Sequence, residues 1–361
     1  MGASTKISLV TDQSQFTGIG AYARRLLDGL NNHGVGASLV YLGGRRTTNG
    51  QFERPIGLKY FKSNVQAPFV LHHNKKVVAR ARILSGKNIH FTGATYSWKH
   101  QDCLAIGTIH DLTFTMPNPF KWERIRTLAV EAMRDYVILD TIRNIKSLER
   151  IITISEVSRR EIKRLTGRES VVIHHWIDSK RFHNRDKLRS RQVLGLPTGK
   201  SIILNVSGQG PNKGRPLLRR LSASLPPDSL LVKIGAPLPE GRVVNVGNVS
   251  QEAYPLYFNA ADCYIDSSTQ EGFGIPLIES LGSSLPVISF LKSISKEILG
   301  NAAVYFDKEE GINEVLSIIS ALNSKGERDD VVSLIEARSK LFQEERCVAE
   351  YMKVYRDVFH L

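Results

Sequence analysis

The segment DCYIDSSTQEGFGIPLIESLGSSLP at 262–286 carries two carboxylates, Glu271 and Glu279, with seven residues between them. A buried strand ending near Asp266, a turn containing Gly272 and a helix opening near Gly274 or Ile275 set Glu271 in the turn and Glu279 about one turn into the helix. Pro276 then falls in the first turn, where its missing N–H costs nothing. The backbone N–H groups of Phe273, Gly274 and Ile275 point at an incoming anion, which makes this a phosphate-binding helix N-terminus. Carboxylates do not bind phosphate, but they accept hydrogen bonds from pairs of hydroxyls. The arrangement suits a ligand with a diphosphate in its middle and polyols at both ends, which describes a sugar nucleotide. It equally admits a first-turn glutamate stabilising the helix dipole and a second one on a solvated face.

A cation for such a diphosphate stands in IILNVSGQGPNKG at 202–214, where a strand runs into a turn containing Ser207 and Gly208 and Lys213 opens the next helix. An ammonium can neutralise a diphosphate as a point charge without a metal, although an exposed loop lysine reads the same way. FTGIGAYARRLL at 16–27 presents Gly18 and Gly20 after a strand, either for close backbone approach to a ligand or for a tight structural turn. LAIGTIHDLTFT at 104–115 puts His110 and Asp111 at the end of another strand, where His110 can donate to a hydroxyl or serve structure alone. In FVLHHNKKVVARARILSGK at 69–87, Lys75, Lys76, Arg80 and Arg82 fall opposite Val77, Val78, Ala81 and Leu84 if helical. That is either a membrane-lying amphipathic helix or a core-facing helix with a solvated basic face.

These residues need elements to position them. Short β-branched apolar runs are predicted as strands at 6–10, 37–42, 88–92, 104–109, 150–154 and 171–174, then at 201–207, 230–235, 243–247, 262–267, 286–290 and 303–307. Helices are predicted at about 19–32, 121–148, 156–166, 213–223, 251–260, 274–284 and 309–323, with one or two more at the end of the chain. Strands alternating with helices mean βαβ units and parallel sheets, so the expected class is α/β with two Rossmann-like doubly wound domains facing across a cleft. The polar stretch 176–200 reads as the linker. The expected domains are 1–175, joined by a helix at about 343–361, and 176–342.

A chain of 361 residues fits about two domains, and 42% hydrophobic with 23% charged residues is ordinary for a globular protein. Three scattered cysteines offer neither a disulfide framework nor a CxxC metal site. No long apolar run suggests an export signal or a membrane span, so a cytoplasmic protein, or one peripheral on the inner membrane face, is expected. Residues 1–175 hold 26 basic and 13 acidic residues, against 23 and 22 in 176–361. Such asymmetry draws an anionic partner to the first half.

Taken together, TGIGAYARRLL, GTIHDLTF, RIITISEVSRREI, NKG at 212–214, EGFGIPLIESLGSSLPVI and LFQEERCVAEYMKVYRDV resemble the retaining glycosyltransferases of family 4, in that family's order. The resemblance implies the GT-B fold and metal-independent transfer of a hexose, with retention, from a nucleoside diphosphate sugar to a saccharide or lipid-linked acceptor. It implies no cofactor. Glu271 is then similar to the carboxylate on the donor sugar, Glu279 to the ribose-binding one, Lys213 to the diphosphate lysine, and His110 to the residue near the donor sugar at the reacting face. Gly18 and Gly20 border the diphosphate and acceptor, and Ser207, Gly208 and 272–275 line the donor. Gly208 departs from the family, which usually has Arg there, and Arg215 is a candidate replacement. The rivals are a nucleotide-sugar epimerase and a non-catalytic sugar-nucleotide sensor or nucleic-acid-binding protein. The last is disfavoured by the lack of a nucleic-acid motif or aromatic platforms.

Overall fold

The computed structural model describes residues 7–11, 18–41, 88–94, 103–110, 128–308 and 311–361. The chain divides into two compact units, residues 1–174 with 347–361, and residues 175–346.

The first unit is built on six parallel strands: β1 (Ile7–Thr11), β2 (Ala37–Tyr41), β3 (Asn88–Phe91), β4 (Leu104–Ile109), β5 (Arg150–Thr153) and β6 (Val171–Val172), in the spatial order β2-β1-β3-β4-β5-β6. Ile7, Leu9, Ile89, Ile106 and Ile151 are all fully buried, as expected of strands covered on both faces. Its helices include α1 (Gly18–Asn32), α2 (Leu128–Ser147) and α3 (Glu156–Thr166). The last shows why these segments close where they do. The Ser155 side chain accepts the Ser158 N–H at 3.0 Å, Gly167 at φ 73° ends the helix, and Ile162 is buried.

The second unit repeats the plan with β7 (Ser201–Ser207), β8 (Ser229–Gly235), β9 (Val243–Gly247), β10 (Cys263–Asp266), β11 (Val287–Phe290) and β12 (Ala303–Phe306), in the order β12-β11-β10-β7-β8-β9. Its helices are α4 (Lys187–Leu194), α5 (Arg215–Ser224), α6 (Tyr254–Ala260), α7 (Ile275–Gly282), α8 (Ser293–Leu299), α9 (Ile312–Leu322) and α10 (Lys325–Ser339). A final helix, α11 (Glu344–Phe359), carries most of its length in the first unit. Leu217, Leu218, Leu221, Ile265, Ile288, Phe306 and Val315 form the second core.

Residues 176–200 are not the linker that their polarity suggested. They contain α4, and Trp176 and Phe182 are buried. Arg191 is 3% exposed, donating to the carbonyls of Ala260 (2.8 Å), Thr198 (3.0 Å) and Lys200 (2.9 Å) and pairing with Asp262 at 2.6 Å. A guanidinium with its Nε, Nη1 and Nη2 all engaged packs like a core group, so its charge does not signal exposure.

Candidate functional site

In the second sheet the strand order reverses between β7 and β10, and the loops leaving the C-terminal ends of those strands flank the point where open α/β sheets bind ligands. Residues 208–214 form one loop, with a single 3₁₀ turn at Pro211–Lys213, and 267–274 form the other. Three hydrogen bonds stitch them: Thr269 N–H to the Asn212 carbonyl (2.9 Å), Asn212 Nδ2 to the Gln270 carbonyl (2.7 Å), and Ser267 Oγ to the Lys213 carbonyl (2.8 Å). Gly214 makes this contact feasible. Its φ is +59°, and a Cβ there would lie 1.9 Å from the Ser267 carbonyl oxygen.

That stitching brings Lys213 Nζ to 2.6 Å from Glu271 Oε1, so a cation and a carboxylate separated by 58 residues meet at the strand-order reversal. Glu279, the fifth residue of α7, is 6% exposed and accepts from the Tyr254 hydroxyl at 2.9 Å. Burial first, and then the Glu279 charge, push the Tyr254 phenol well above its ordinary pKa, so it stays a donor. Tyr254 was not singled out in the sequence, where YPLYFNA reads only as an aromatic helix. Gly274 precedes α7 at φ 91° and Pro276, without an N–H, stands at its second position; the Leu277 N–H bonds back to the Gly274 carbonyl (2.9 Å), leaving the Ile275 N–H without an intrahelical partner. Gly272 and Ile275 are half-buried, whereas the Phe273 ring is buried, edge-on to His175 at 4.8 Å. Ser207 ends β7, and Gly208 is exposed.

Arg215 does not supply a free guanidinium in place of an arginine at 208. It donates to the carbonyls of Pro237 (2.8 Å) and Ala236 (3.4 Å). Asp266 is likewise committed, to Lys292, to the Ser289 hydroxyl (2.9 Å) and to the Ser268 N–H (3.1 Å). Among the described residues no group of three or more His, Cys, Asp or Glu is arranged to hold a metal, the three cysteines are buried thiols, and no helix is long and apolar enough to cross a membrane.

In the first unit His110 follows β4 and is 8% exposed. Its Nε2 lies 3.0 Å from the Thr92 carbonyl. A carbonyl only accepts, so Nε2 carries the proton, and in the neutral ring Nδ1 is an acceptor. The Nε2 proton is therefore engaged by the Thr92 carbonyl. Tyr22 sets its edge against this ring at 4.7 Å, one turn beyond Gly18, which opens α1, and close to the buried Gly20. The Tyr22 hydroxyl donates to Thr108 (2.9 Å) and meets that of Tyr351 (2.8 Å), while His90 contacts Thr108 (2.8 Å) and Tyr355 (2.7 Å). α11 is thus bonded to β3 through Tyr355 and to α1 through Tyr351, with Thr108 of β4 between Tyr22 and His90. Asp111, Lys75, Lys76, Arg80 and Arg82 lie outside the described residues.

Burial, with a lesser contribution from His110, lowers the His90 pKa to about 3. Unfolding lets that ring recover a pKa near 6.5, so the unfolded chain binds the extra proton between pH 6.5 and 3. The stabilisation is complete above pH 6.5 and lost as the pH falls through this window. Urea midpoints are expected to drop from pH 7 to pH 5 in the parent, and to drop less in His90→Gln. Equal slopes in both would remove His90 as the cause.

Residues 186–333 match the family described as Glycosyl transferases group 1. The chain is 22% identical over 318 residues to the O-antigen chain mannosyltransferase B of Escherichia coli, covering 81% of this chain and 80% of that protein. Among solved structures it is similar to sucrose-phosphate synthase from Thermosynechococcus elongatus, with a TM-score of 0.74, 18% identity and 99% of both chains covered. It is also similar to Anabaena HepE in complex with UDP and glucose, with a TM-score of 0.68, 16% identity and 96% and 98% of the two chains covered.

Proposed function

Taking as premise a glycosyltransferase with the GT-B fold, we propose that the chain is a retaining enzyme of family 4. It moves a hexose from a nucleoside diphosphate sugar to a saccharide or lipid-linked acceptor without a metal. The observation that carries this is the meeting of Lys213 and Glu271 at the reversal between β7 and β10. An ammonium and a carboxylate beside a helix N-terminus offer a diphosphate and a sugar their separate partners. The solved structure of HepE with UDP and glucose supports such a donor, and the O-antigen chain mannosyltransferase supports a saccharide acceptor.

In this reading Lys213 releases Glu271 when the diphosphate arrives. The ammonium and the Ile275 N–H at the start of α7 bind phosphate oxygens, Glu271 accepts from sugar hydroxyls, and Glu279, held by Tyr254, accepts from the ribose. The bond between C1 and the phosphate oxygen breaks through an oxocarbenium-like transition state. Charge gathers on the departing diphosphate, where Lys213 and the helix end stabilise it. The acceptor hydroxyl forms its bond to C1 on the face the diphosphate leaves, and its proton passes to the leaving oxygen, so configuration is kept. In the first unit, His110 stands near the donor sugar at the reacting face, and the basic excess of residues 1–175 favours an anionic acceptor or membrane face.

The test incubates the full chain with UDP-, GDP- and ADP-hexoses and an oligosaccharide or lipid-linked acceptor pool, with and without EDTA, reading the product anomer by NMR. Transfer with retained configuration and undiminished by EDTA is expected. Inversion, or epimerised donor without acceptor, would overturn the proposal.

A further inference from the structure

Lys233 is an anomaly of the second sheet. It lies in β8 with 0% exposure, and its Nζ donates to the carbonyls of Ser207 (2.6 Å) and Ile234 (2.8 Å). Among the described residues no carboxylate pairs with it or with Arg215. The charge that bears on it is that second cation, Arg215, which grips the next carbonyls along, those of Ala236 and Pro237. Taking an ammonium out of water is costly, and carbonyl dipoles offset only part of that cost. Two cations without a counter-charge at the C-terminal ends of β7 and β8 leave a local positive excess where α/β sheets bind ligands, which a multiply charged anion neutralises.

The bond to Ser207 also has a direction. In a planar trans peptide the C=O and the following N–H point opposite ways. The Ser207 carbonyl is turned to the β8 side, where it accepts from Lys233 and from the Ala236 N–H at 3.0 Å. The Gly208 N–H is thereby turned to the opposite side, the β10 side, from which the loop carrying Glu271 leaves to meet Lys213. Gly208 itself is exposed, and apart from its chain neighbours nothing lies within 4 Å of where a Cβ would stand on it.

We propose that Lys233 is a positioning residue for the donor diphosphate: its ammonium fixes and polarises the Ser207–Gly208 peptide, so that the Gly208 N–H donates to the anion. This rests on the nucleotide-sugar reading above and assigns to a buried lysine the role of the arginine absent at 208. A chain of ammonium, carbonyl, N–H and phosphate strengthens each link by polarisation. Burial and then Arg215 bring the Lys233 pKa down to about 8, so the charge is present at neutral pH and lost above it. Arg215, the charged group facing it, stays ionised throughout, and phosphate, with a second pKa of about 6, does not titrate there.

The test is calorimetric binding of UDP, GDP and ADP, and of uridine, guanosine and adenosine, to the full chain and to Lys233→Met and Lys233→Gln, at pH 7.0 and 9.0. The expected result is a loss of at least 10-fold in affinity for the preferred diphosphate in both variants, with nucleoside affinity unchanged. The parent should weaken from pH 7.0 to 9.0 and the variants should not. Removing an unpaired buried charge is expected to leave Tm unchanged or raised, and Lys233→Gln serves if Lys233→Met does not fold. Parental diphosphate affinity in the variants, or equal loss of nucleoside and diphosphate binding, would overturn this inference and leave the nucleotide-sugar reading standing. Failure of the parent to bind any of the three diphosphates would overturn both.

Discussion

Glu271→Gln is expected to cut transfer at saturating donor by about 100-fold or more, the scale on which one group holding a reacting centre acts, with little change in thermal unfolding. The two effects separate because of where the pair sits. Lys213 and Glu271 side chains are 24% and 23% exposed. A pair so open to water contributes only about 1 kcal/mol or less to stability. The pair is therefore weak as a structural device and well placed as a binding one, since a diphosphate that takes the ammonium releases the carboxylate to hydroxyls. Glutamine preserves the shape and one acceptor while removing the charge. Initial rates at saturating donor, with melting curves on the same preparations, decide the matter. A rate within threefold of the parent on an intact fold would take Glu271 out of the chemistry.

The second large effect belongs to a residue with no side chain. Gly214→Ala must place a Cβ that, on the present backbone, lies 1.9 Å from the Ser267 carbonyl oxygen and 2.8 Å from its carbon, at a φ of +59°. Left-handed backbone costs a non-glycine residue about 1–2 kcal/mol, and overpacking about 1–3 more, so a loss of roughly 3 kcal/mol is expected. The only relief is to push the two loops apart, which breaks the bond from Ser267 Oγ to the Lys213 carbonyl. Urea unfolding should show the lost stability, and the donor KM should rise with it as Lys213 leaves Glu271. Unchanged stability together with an unchanged KM would mean that the loops are not held by this contact.

The division between what sequence and tertiary structure decide follows from the range of the forces involved. Strands such as Ile7–Thr11, Ser201–Ser207 and Val287–Phe290 were legible because burial on both faces of a parallel sheet demands continuous apolar runs, which composition alone displays. The Glu271 to Glu279 spacing and the turn into α7 were legible for a similar local reason, the pairing of glycine and proline at a helix start. Short charged elements were not. α8, with the sequence SISKEIL, has too few residues for a period, and α4 hides its packing behind Arg191, whose burial depends on carbonyls and an aspartate as many as 71 residues away. The same holds for the partners of the site. That Lys213 meets Glu271, that Tyr254 holds Glu279, that His110 spends its proton on Thr92 and that Lys233 lies under Ser207 are facts of strand order. Residue types along the chain set which groups can bind anions and hydroxyls. Only the order of strands in each sheet, and the helix packing that goes with it, sets which of them meet, because a pairing over such separations is made by the fold and leaves no periodicity in the chain.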